Sequence, residues 1–397
     1  MSTTDERPFD ADNHYYEAAD AFTRHVPAAM QARCVQWAEI GGRKHHIVGG
    51  KLAHAVSNPT WNPIAMPGAI SEFLRGNPNK ISPKDLLAAR EPLPDYYMNK
   101  DARVGRIEEQ GLQGIWLFPT LGVLYEELLK HDTEAVKTLF CAFNRWLDED
   151  WGCNYKNKIF AAPYISLCDV DFACKELEWA LGRDARIIVL RPAAVFTPDE
   201  GPLSPAHPKF DPFWARVNEA GITVVVHASD SGYTTHGYVP DGFSASGVGG
   251  PMMPNIKHLN IERAGYDFLI TLAYDRLFER FGNLRVASVE NGAEFLPDLL
   301  RKLRQSRDRL AVTGYYKEDP VELFREHVWI NPFWEDDVYE VESLMGAEHV
   351  IFGSDWPHIE GMPKPLDYVT ELTEFDAATQ QKILRHNALA LTQRRPA

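Results

Sequence analysis

The stretch Val350-Ile-Phe-Gly-Ser-Asp-Trp-Pro-His-Ile-Glu-Gly361 decides how the fold of this chain is interpreted. Its apolar beginning is typical of a buried strand, and the Gly-Ser pair that follows predicts the end of that strand. Three potential metal ligands, Asp355, His358 and Glu360, come directly afterwards. In a barrel of parallel strands, the carboxyl ends of the strands form the active site. We therefore expect other strands to end in ligands as well.

Further strand candidates do end in acidic or imidazole side chains. The short strand predicted at residues 8–14 carries Asp12 and His14 on one face, because side chains alternate along a strand. His227 ends an apolar run, and Glu290 lies where another apolar run opens into a loop. A buried carboxylate needs a partner, so a cation is expected beside these groups.

Strand and helix patterns alternate along the rest of the chain. Strands are predicted at residues 114–119, 159–165, 185–190, 222–228, 284–289, 327–331 and 350–353. Helices are predicted at 133–150, 169–181, 212–220, 261–281, 294–309, 337–345, 367–374 and 377–391. With the first strand this makes eight strands, which predicts an α/β fold of the (β/α)8 TIM-barrel class.

The barrel is expected to form one domain over residues 1–397, with insertions at about 30–110 and 230–260. A small N-terminal hairpin is predicted within residues 35–55. An open doubly wound sheet is the alternative, although no Gly-x-Gly-x-x-Gly motif follows the first strand.

Composition excludes several classes of partner. The net charge is −15, and no block of Lys and Arg is long enough to follow a phosphate backbone, so nucleic acid is not expected as a partner. No run approaches the roughly 18 apolar residues of a membrane span, and the first residues lack an apolar signal region, so a cytoplasmic location is expected. Five cysteines without a CxxC pair indicate neither a disulfide framework nor a zinc knuckle.

The ligand pattern resembles that of the amidohydrolase-related family, in the branch that includes aminocarboxymuconate-semialdehyde decarboxylase and the resorcylate decarboxylases. The resemblance spans almost the whole chain, and its strongest motif is Gly-Ser-Asp-Trp-Pro-His at residues 353–358. The matching positions are Asp12-x-His14, His227, Asp355-Trp-Pro-His358 and Asn387-Ala388. The resemblance implies a barrel enzyme whose metal is held by Asp12, His14, His227 and Asp355.

Two positions depart from the family pattern. In the decarboxylases, strand six usually supplies a His that serves as acid and base, whereas this chain has Glu290 there. Hydrolases with two metals often bridge them with a carboxylated Lys on strand four, whereas this strand ends in Arg191. Glu290 and His358 are the candidate catalytic groups. Arg191 either holds a substrate carboxylate or forms a structural ion pair.

The full set of candidate ligands is rich in oxygen. It comprises three His and five carboxylates: His14, His227, His358, Asp12, Glu17, Glu290, Asp355 and Glu360. That number exceeds what one tetrahedral zinc uses, and mixed carboxylate and imidazole ligands suit iron or manganese. The set is similar to a small subgroup of the same superfamily that binds two non-haem irons and hydroxylates small organic acids with O2. This resemblance assigns Asp12, His14, His227 and Asp355 to one ion, and Glu17, Glu290, His358 and Glu360 to the other.

Three functions follow as hypotheses. The first is O2-dependent hydroxylation of a small organic or amino acid by two Fe ions, or by Fe with Mn. The second is hydrolysis or non-oxidative decarboxylation of a small carboxylic acid with one Zn or Mn. The third is a silent barrel that supports an active paralogue, and a homo- or hetero-oligomer is expected in any case. Tyr233 and His236, in the loop after strand five, are candidates for substrate contact.

Overall fold

The computed structural model describes residues 6–53, 56, 58–233 and 260–397. Most of the insertion expected at 230–260, including His236, lies outside the described residues. Within the described helices, none is long and apolar enough to cross a membrane.

The strands of the described residues are mostly short. In chain order they are β1 Phe9–Asp10, β2 His14–Tyr15, β3 Val35–Ile40, β4 Arg43–Val48, β5 Lys51–Leu52, β6 Ile64–Ala65, β7 Arg90–Glu91, β8 Gly114–Pro119, β9 Ile159–Ala161, β10 Ile187–Leu190, β11 Val195–Thr197, β12 Gly201–Leu203, β13 Thr223–His227, β14 Arg285–Val289 and β15 Val328–Ile330.

The described helices alternate with these strands after residue 100. They are α1 Ser71–Leu74, α2 Pro83–Leu86, α3 Lys100–Glu109, α4 Tyr125–Leu129, α5 Thr133–Asp150, α6 Val170–Gly182, α7 Asp211–Ala220, α8 Asn260–Tyr274, α9 Leu277–Arg280, α10 Leu296–Leu310, α11 Pro320–His327, α12 Val338–Met345, α13 Ala377–Gln381 and α14 Asn387–Thr392.

Two parallel sheets carry the architecture. In the first, β8 pairs with β1 and, further along, with β2, so that β1 and β2 are two pieces of one strand. The other edge of β8 pairs with β9. The second sheet has the order β10, β13, β14, β15. Its strand β13 is buried along its whole length, as expected for a strand covered on both faces.

Single bridges connect the sheets in the order of a TIM barrel. Tyr164 bridges to Val189 of β10, and Ile330 of β15 bridges to Val350. Asn13 then bridges to Trp356, which brings the eighth segment beside the first. The parallel order of these segments is that of the predicted α/β barrel class.

The prediction of a regular strand at 350–353 was wrong. Val350 takes part only in the isolated bridge to Ile330. The amide of Ile351 donates to the carbonyl of Ile330 at 2.9 Å, but the amide of Phe352 donates to Ile383 at 3.1 Å. Because successive amides have partners on different elements, no ladder forms.

Other element predictions agree closely with the structure. The strand at 114–119 and the helix at 133–150 have the predicted bounds, and the side chain of Asp132 caps the helix by accepting from the amide of Ala135. The helix predicted at 261–281 is divided into α8 and α9, because Arg276 between them has a left-handed φ of 54°. The hairpin predicted within 35–55 is confirmed as antiparallel β3 and β4.

Candidate metal centre

Two groups of ligand atoms meet at the carboxyl ends of the barrel strands. The first consists of Asp12, His14, His227 and Glu290, and its ligand atoms all lie within 4.8 Å of one another. The second consists of His14, Glu290, Asp355 and His358 under the same limit. His14 and Glu290 belong to both groups, so the two groups form one continuous cluster.

The spacing of the first group matches the edges of a coordination polyhedron. His14 Nε2 lies 3.3 Å from Asp12 Oδ1 and 3.5 Å from Glu290 Oε2. His227 Nε2 lies 3.6 Å and 3.3 Å from the same two oxygens. Metal bonds of about 2.1 Å in a tetrahedron place neighbouring ligands about 3.4 Å apart. The four side chains therefore fit one divalent ion.

The second group extends the cluster on its other side. Asp355 Oδ1 lies 3.4 Å from His14 Nε2 and 2.6 Å from His358 Nδ1. An imidazole nitrogen has a single lone pair, so His14 Nε2 binds one ion only. The residues thus fit one ion with partners on its open side, or two ions of which His14 serves one.

Exposure divides the cluster into a deep half and an outer half. The side chains of Asp12, His14 and His227 are only 1–2% exposed. Those of Glu290, Asp355 and His358 are each 13% exposed. The outer half is therefore the side from which a small molecule reaches the centre.

Backbone carbonyls orient the two deep imidazoles. His14 Nδ1 lies 3.2 Å from the carbonyl oxygen of Pro119, and His227 Nδ1 lies 2.9 Å from that of Ala228. A carbonyl only accepts, so each Nδ1 carries a proton and Nε2 is the nitrogen of each ring that can bind a cation.

Several potential metal-ligand atoms of the cluster are buried without a hydrogen-bond partner among the described residues. They are Asp12 Oδ1, His14 Nε2, His227 Nε2, Asp355 Oδ1 and His358 Nδ1. Buried polar atoms are nearly always paired, and these atoms converge on one point. Cation binding at the cluster would give these atoms partners, so the residues fit the cation expected from the sequence.

Two of the outer ligands stand on unusual backbone. Glu290 has a φ of 55° and Asp355 a φ of 53°, both in the left-handed region that side chains other than Gly rarely adopt. Glu290 directly follows β14, and Asp355 follows the eighth segment, in each case where the chain turns into a loop. Such a conformation costs on the order of 1 kcal/mol and is typical of functional sites.

Asp10 fastens the first strand to the eighth segment. Its Oδ1 accepts from the amide of Ser354 at 2.9 Å, and its Oδ2 accepts from the Ser354 hydroxyl at 2.6 Å and from Asn13 Nδ2 at 2.7 Å. Asp10 was not among the site residues predicted from the sequence. The alternation of acidic residues along the strand was the available signal.

Burial and neighbouring charges shift the pKa values of the cluster residues. Burial opposes protonation of His14, but Asp12 and Glu290 prevail and raise its pKa to about 9. Burial, together with the negative charge of Glu290 and Glu360, raises the pKa of Asp355 well above its usual range. Burial lowers the pKa of His358 well below its usual range, and the neighbouring His14 and His227 add to the effect. His358 is therefore neutral.

Two predicted ligands lie outside both groups. Glu17 Oε1 accepts from the backbone amides of Leu121 and Gly122 at 2.7 and 2.9 Å, and burial raises its pKa to about 7. Burial and the charge of Glu290 raise the pKa of Glu360 to about 7. The structure brings together the other six predicted ligands: Asp12, His14, His227, Glu290, Asp355 and His358.

Arg191 is engaged by protein carboxylates. It is buried, and its Nη1 lies 2.7 Å from Glu127 Oε2 while its Nε lies 3.5 Å from Glu126 Oε2. Nη1 also donates to the carbonyl of Asp230 at 3.0 Å. These contacts form the structural ion pair considered from the sequence, and the substrate-binding role of Arg191 stays a prediction. Tyr233 donates to Asp267.

Comparisons with known proteins agree with this arrangement. The sequence model of the amidohydrolase family matches residues 191–392. A crystal structure of an amidohydrolase from Mycobacterium avium subsp. paratuberculosis K-10 is 38% identical, with a TM-score of 0.90 over 98% of this chain and 99% of that chain.

More distant structures share the fold. A 5-carboxyvanillate decarboxylase from Sphingomonas paucimobilis is 14% identical, with a TM-score of 0.62 over 97% of this chain and 98% of that one. A dihydroxybenzoic acid decarboxylase from Polaromonas sp. JS666, with bound manganese, is 16% identical, with a TM-score of 0.59 over 82% and 93% of the two chains. No curated protein matches the chain. Barrel order, ligand cluster and sequence similarity together show that this chain belongs to the amidohydrolase family.

Proposed function

We propose that this chain is a metal-dependent decarboxylase that releases CO2 from a small carboxylic acid without oxidation. The observation that carries the proposal is the division of the cluster by exposure. Asp12, His14 and His227 form a deep set of three ligands, and catalytic metal sites typically use three protein ligands and leave a position for substrate. The manganese-bound decarboxylase that shares the fold supports the same choice.

In this proposal, one divalent ion would be held by the three deep ligands, with Asp355 and His358 on its open side. Manganese or zinc suits such a mixture of imidazole and carboxylate ligands. A bound ion would supply Lewis acidity beside the substrate.

Glu290 then takes the role of proton carrier. Loss of CO2 breaks a carbon–carbon bond and leaves its electron pair on the substrate carbon. Glu290 donates a proton to that carbon and regains one from solvent on its exposed side. Its Oε2 lies 3.3 Å from His227 Nε2 and 3.5 Å from His14 Nε2, so the carboxyl group is beside any substrate held at the centre. General acid catalysis of this kind contributes about 10²–10⁴-fold to a rate.

The test is CO2 release from a panel of hydroxybenzoates, measured with manganese-loaded protein in air and under strict anoxia. Equal rates in both conditions are expected. Glu290→Gln should lower kcat by at least about 100-fold while the three deep ligands retain the metal. Turnover that requires O2, or the absence of CO2 release from the whole panel, would contradict the proposal. Hydrolysis of a small acid derivative at the same centre is the nearest alternative. It is tested by assaying product formation with the same metal-loaded protein.

A dinuclear iron oxygenase is the second candidate. The observation that favours it is the second group of ligand atoms, in which Asp355 and His358 lie beside His14 and Glu290. Two adjacent ions would use these outer donors. Two Fe per chain, together with O2 consumption coupled to hydroxylation of a small organic acid, would establish this function and exclude decarboxylation.

A further inference from the structure

We propose that Thr120 is a positioning residue that fixes the tautomer of His358, so that Nδ1 of this ring faces the metal centre. The proposal rests on the metal centre of the proposed function. It starts from a difference among the three imidazoles. His14 and His227 direct Nε2 to the cluster, whereas His358 directs Nδ1.

Two contacts of the Thr120 hydroxyl indicate which atoms donate and which accept. Its hydroxyl oxygen lies 2.8 Å from the carbonyl oxygen of Tyr15 and 3.0 Å from His358 Nε2. A carbonyl oxygen has no proton to give, so the Thr120 hydroxyl donates its only proton to Tyr15. Towards His358 the same oxygen is then an acceptor, and Nε2 of His358 must carry the proton.

This assignment determines what His358 offers to the centre. In a neutral imidazole only one nitrogen is protonated, so a proton on Nε2 leaves the lone pair on Nδ1. That lone pair faces Asp355 Oδ1 at 2.6 Å. Two acceptor atoms this close need either a shared proton from Asp355, whose pKa is raised, or a metal ion, and in both cases the Nδ1 lone pair is turned towards the centre. Thr120 therefore presents His358 as a ligand.

The position of Thr120 links it to a second ligand. Thr120 follows Pro119, the last residue of β8, whose carbonyl orients His14. The ring of His358 lies against that of His14, with 3.9 Å between centroids. The end of β8 thus orients two neighbouring imidazoles through opposite nitrogens. Tyr15, which receives the Thr120 proton, is paired with Pro119 in the same ladder.

Thr120→Val and Thr120→Ser are the matched variants. Valine keeps the shape of threonine but has no acceptor oxygen, and serine keeps the oxygen. The tautomer of each His is measured from the ¹⁵N shifts of its ring in ¹⁵N-histidine-labelled protein, with His358→Gln used to assign the signals. The manganese dissociation constant is measured on the same samples.

The expected result is a change confined to one ring. Wild type and Thr120→Ser should show the Nε2–H tautomer of His358 and bind manganese equally. Thr120→Val should populate both tautomers and bind manganese about 10–100-fold more weakly, as expected when the outer partner of a ligand is lost. The signals of His14 and His227 should not change.

The opposite result is equally clear. A Thr120→Val protein that keeps the wild-type tautomer of His358 and the wild-type affinity would overturn the proposal. If the valine variant does not fold, Thr120→Ala, which also lacks the oxygen, gives the same comparison. A wild-type protein that releases no CO2 but shows the Nε2–H tautomer counts against the proposed function alone, because the tautomer is measured independently of activity.

Discussion

Each deep ligand of the centre is a polar side chain whose burial is unfavourable unless it has a partner. Asp12 is surrounded by His14 and His227 and is only 1% exposed. Burial raises its pKa, but the two imidazoles outweigh that effect and lower it. Its carboxylate is therefore charged and available to a cation at neutral pH.

Asp12→Asn should remove the metal. The amide has nearly the same shape but no charge, so we expect metal affinity to fall at least about 10–100-fold and CO2 release to fall with it. The measurement is metal content after dialysis against a weak chelator. Asp308→Asn, at a side chain that is 67% exposed, is the matched control and should retain full metal content. An Asp12→Asn protein with normal metal content would remove Asp12 from the site.

Metal binding should depend on pH through His14. When no ion is bound, its pKa is raised to about 9, so below that pH an incoming ion must displace a proton from the ring. The apparent association constant should therefore rise up to about tenfold for each pH unit between about pH 7 and 9, and should level off above. Manganese titrations across this range measure the slope. A constant affinity over the same range would contradict the protonation assigned to His14.

The ligand residues could be predicted from the sequence, but the residues that orient them could not. The strand ends that carry His227 and Asp355 are visible as apolar runs that stop at a polar residue, and Asp12 and His14 are visible as alternating polar positions of a short strand. Thr120 contacts His358 across 238 positions of sequence, and nothing in the local pattern distinguishes it from other threonines. Which donors meet is a property of the assembled barrel.

At the scale of elements, the eighth segment runs beside the first strand so closely that position 353 has no room for a side chain. A Cβ on Gly353 would lie 2.5 Å from Asp12 Cβ and 2.8 Å from Asn331 Oδ1. Gly353→Ala should therefore push the first strand away and destabilise the protein by about 1–3 kcal/mol, with loss of metal affinity because Asp12 moves.

Gly105→Ala in α3 is the control for this substitution. Its Cβ would meet nothing within 4 Å, so the alanine should be neutral or stabilise by up to about 1 kcal/mol. Thermal unfolding and metal content are measured for both variants. Equal stability of Gly353→Ala and Gly105→Ala would contradict the close contact between the eighth segment and the first strand.

Arg191 connects α4 to the end of β10. Both of its partners, Glu126 and Glu127, lie in α4 and are largely buried, with side chains 9% and 7% exposed. Arg191→Met would leave Glu127 with Lys130 as its cation and Glu126 with only the hydroxyls of Tyr164 and Ser166, which should destabilise the protein by about 3–5 kcal/mol. Chemical denaturation measures this loss. An increase in KM at unchanged stability would instead restore the substrate-binding role considered from the sequence.

Element boundaries could be predicted where one local signal dominates. The uninterrupted apolar run of β8 and the capped, amphipathic pattern of α5 are such cases. The break between α8 and α9 was missed because Arg276 adopts a left-handed φ that its side chain does not reveal. The eighth segment was taken for a regular strand because its apolar residues are buried, although their amides bond to two different elements.

For the whole molecule, the alternation of strands and helices was sufficient to predict the class of fold. Parallel neighbours in barrel order follow from that alternation, since each helix returns the chain to the same end of the sheet. Metal number and reaction could not be predicted in this way, because they depend on how six side chains from distant segments converge. The net charge of −15 adds no discrimination between the two candidate reactions.

The most direct test of the proposed centre is the metal content per chain, measured by inductively coupled plasma mass spectrometry on protein produced with iron, manganese and zinc all available. We predict close to one Mn or Zn per wild-type chain, and none in Asp12→Asn. Close to two Fe per chain would contradict the single-ion decarboxylase and support the oxygenase, and a wild-type chain without bound metal would contradict both.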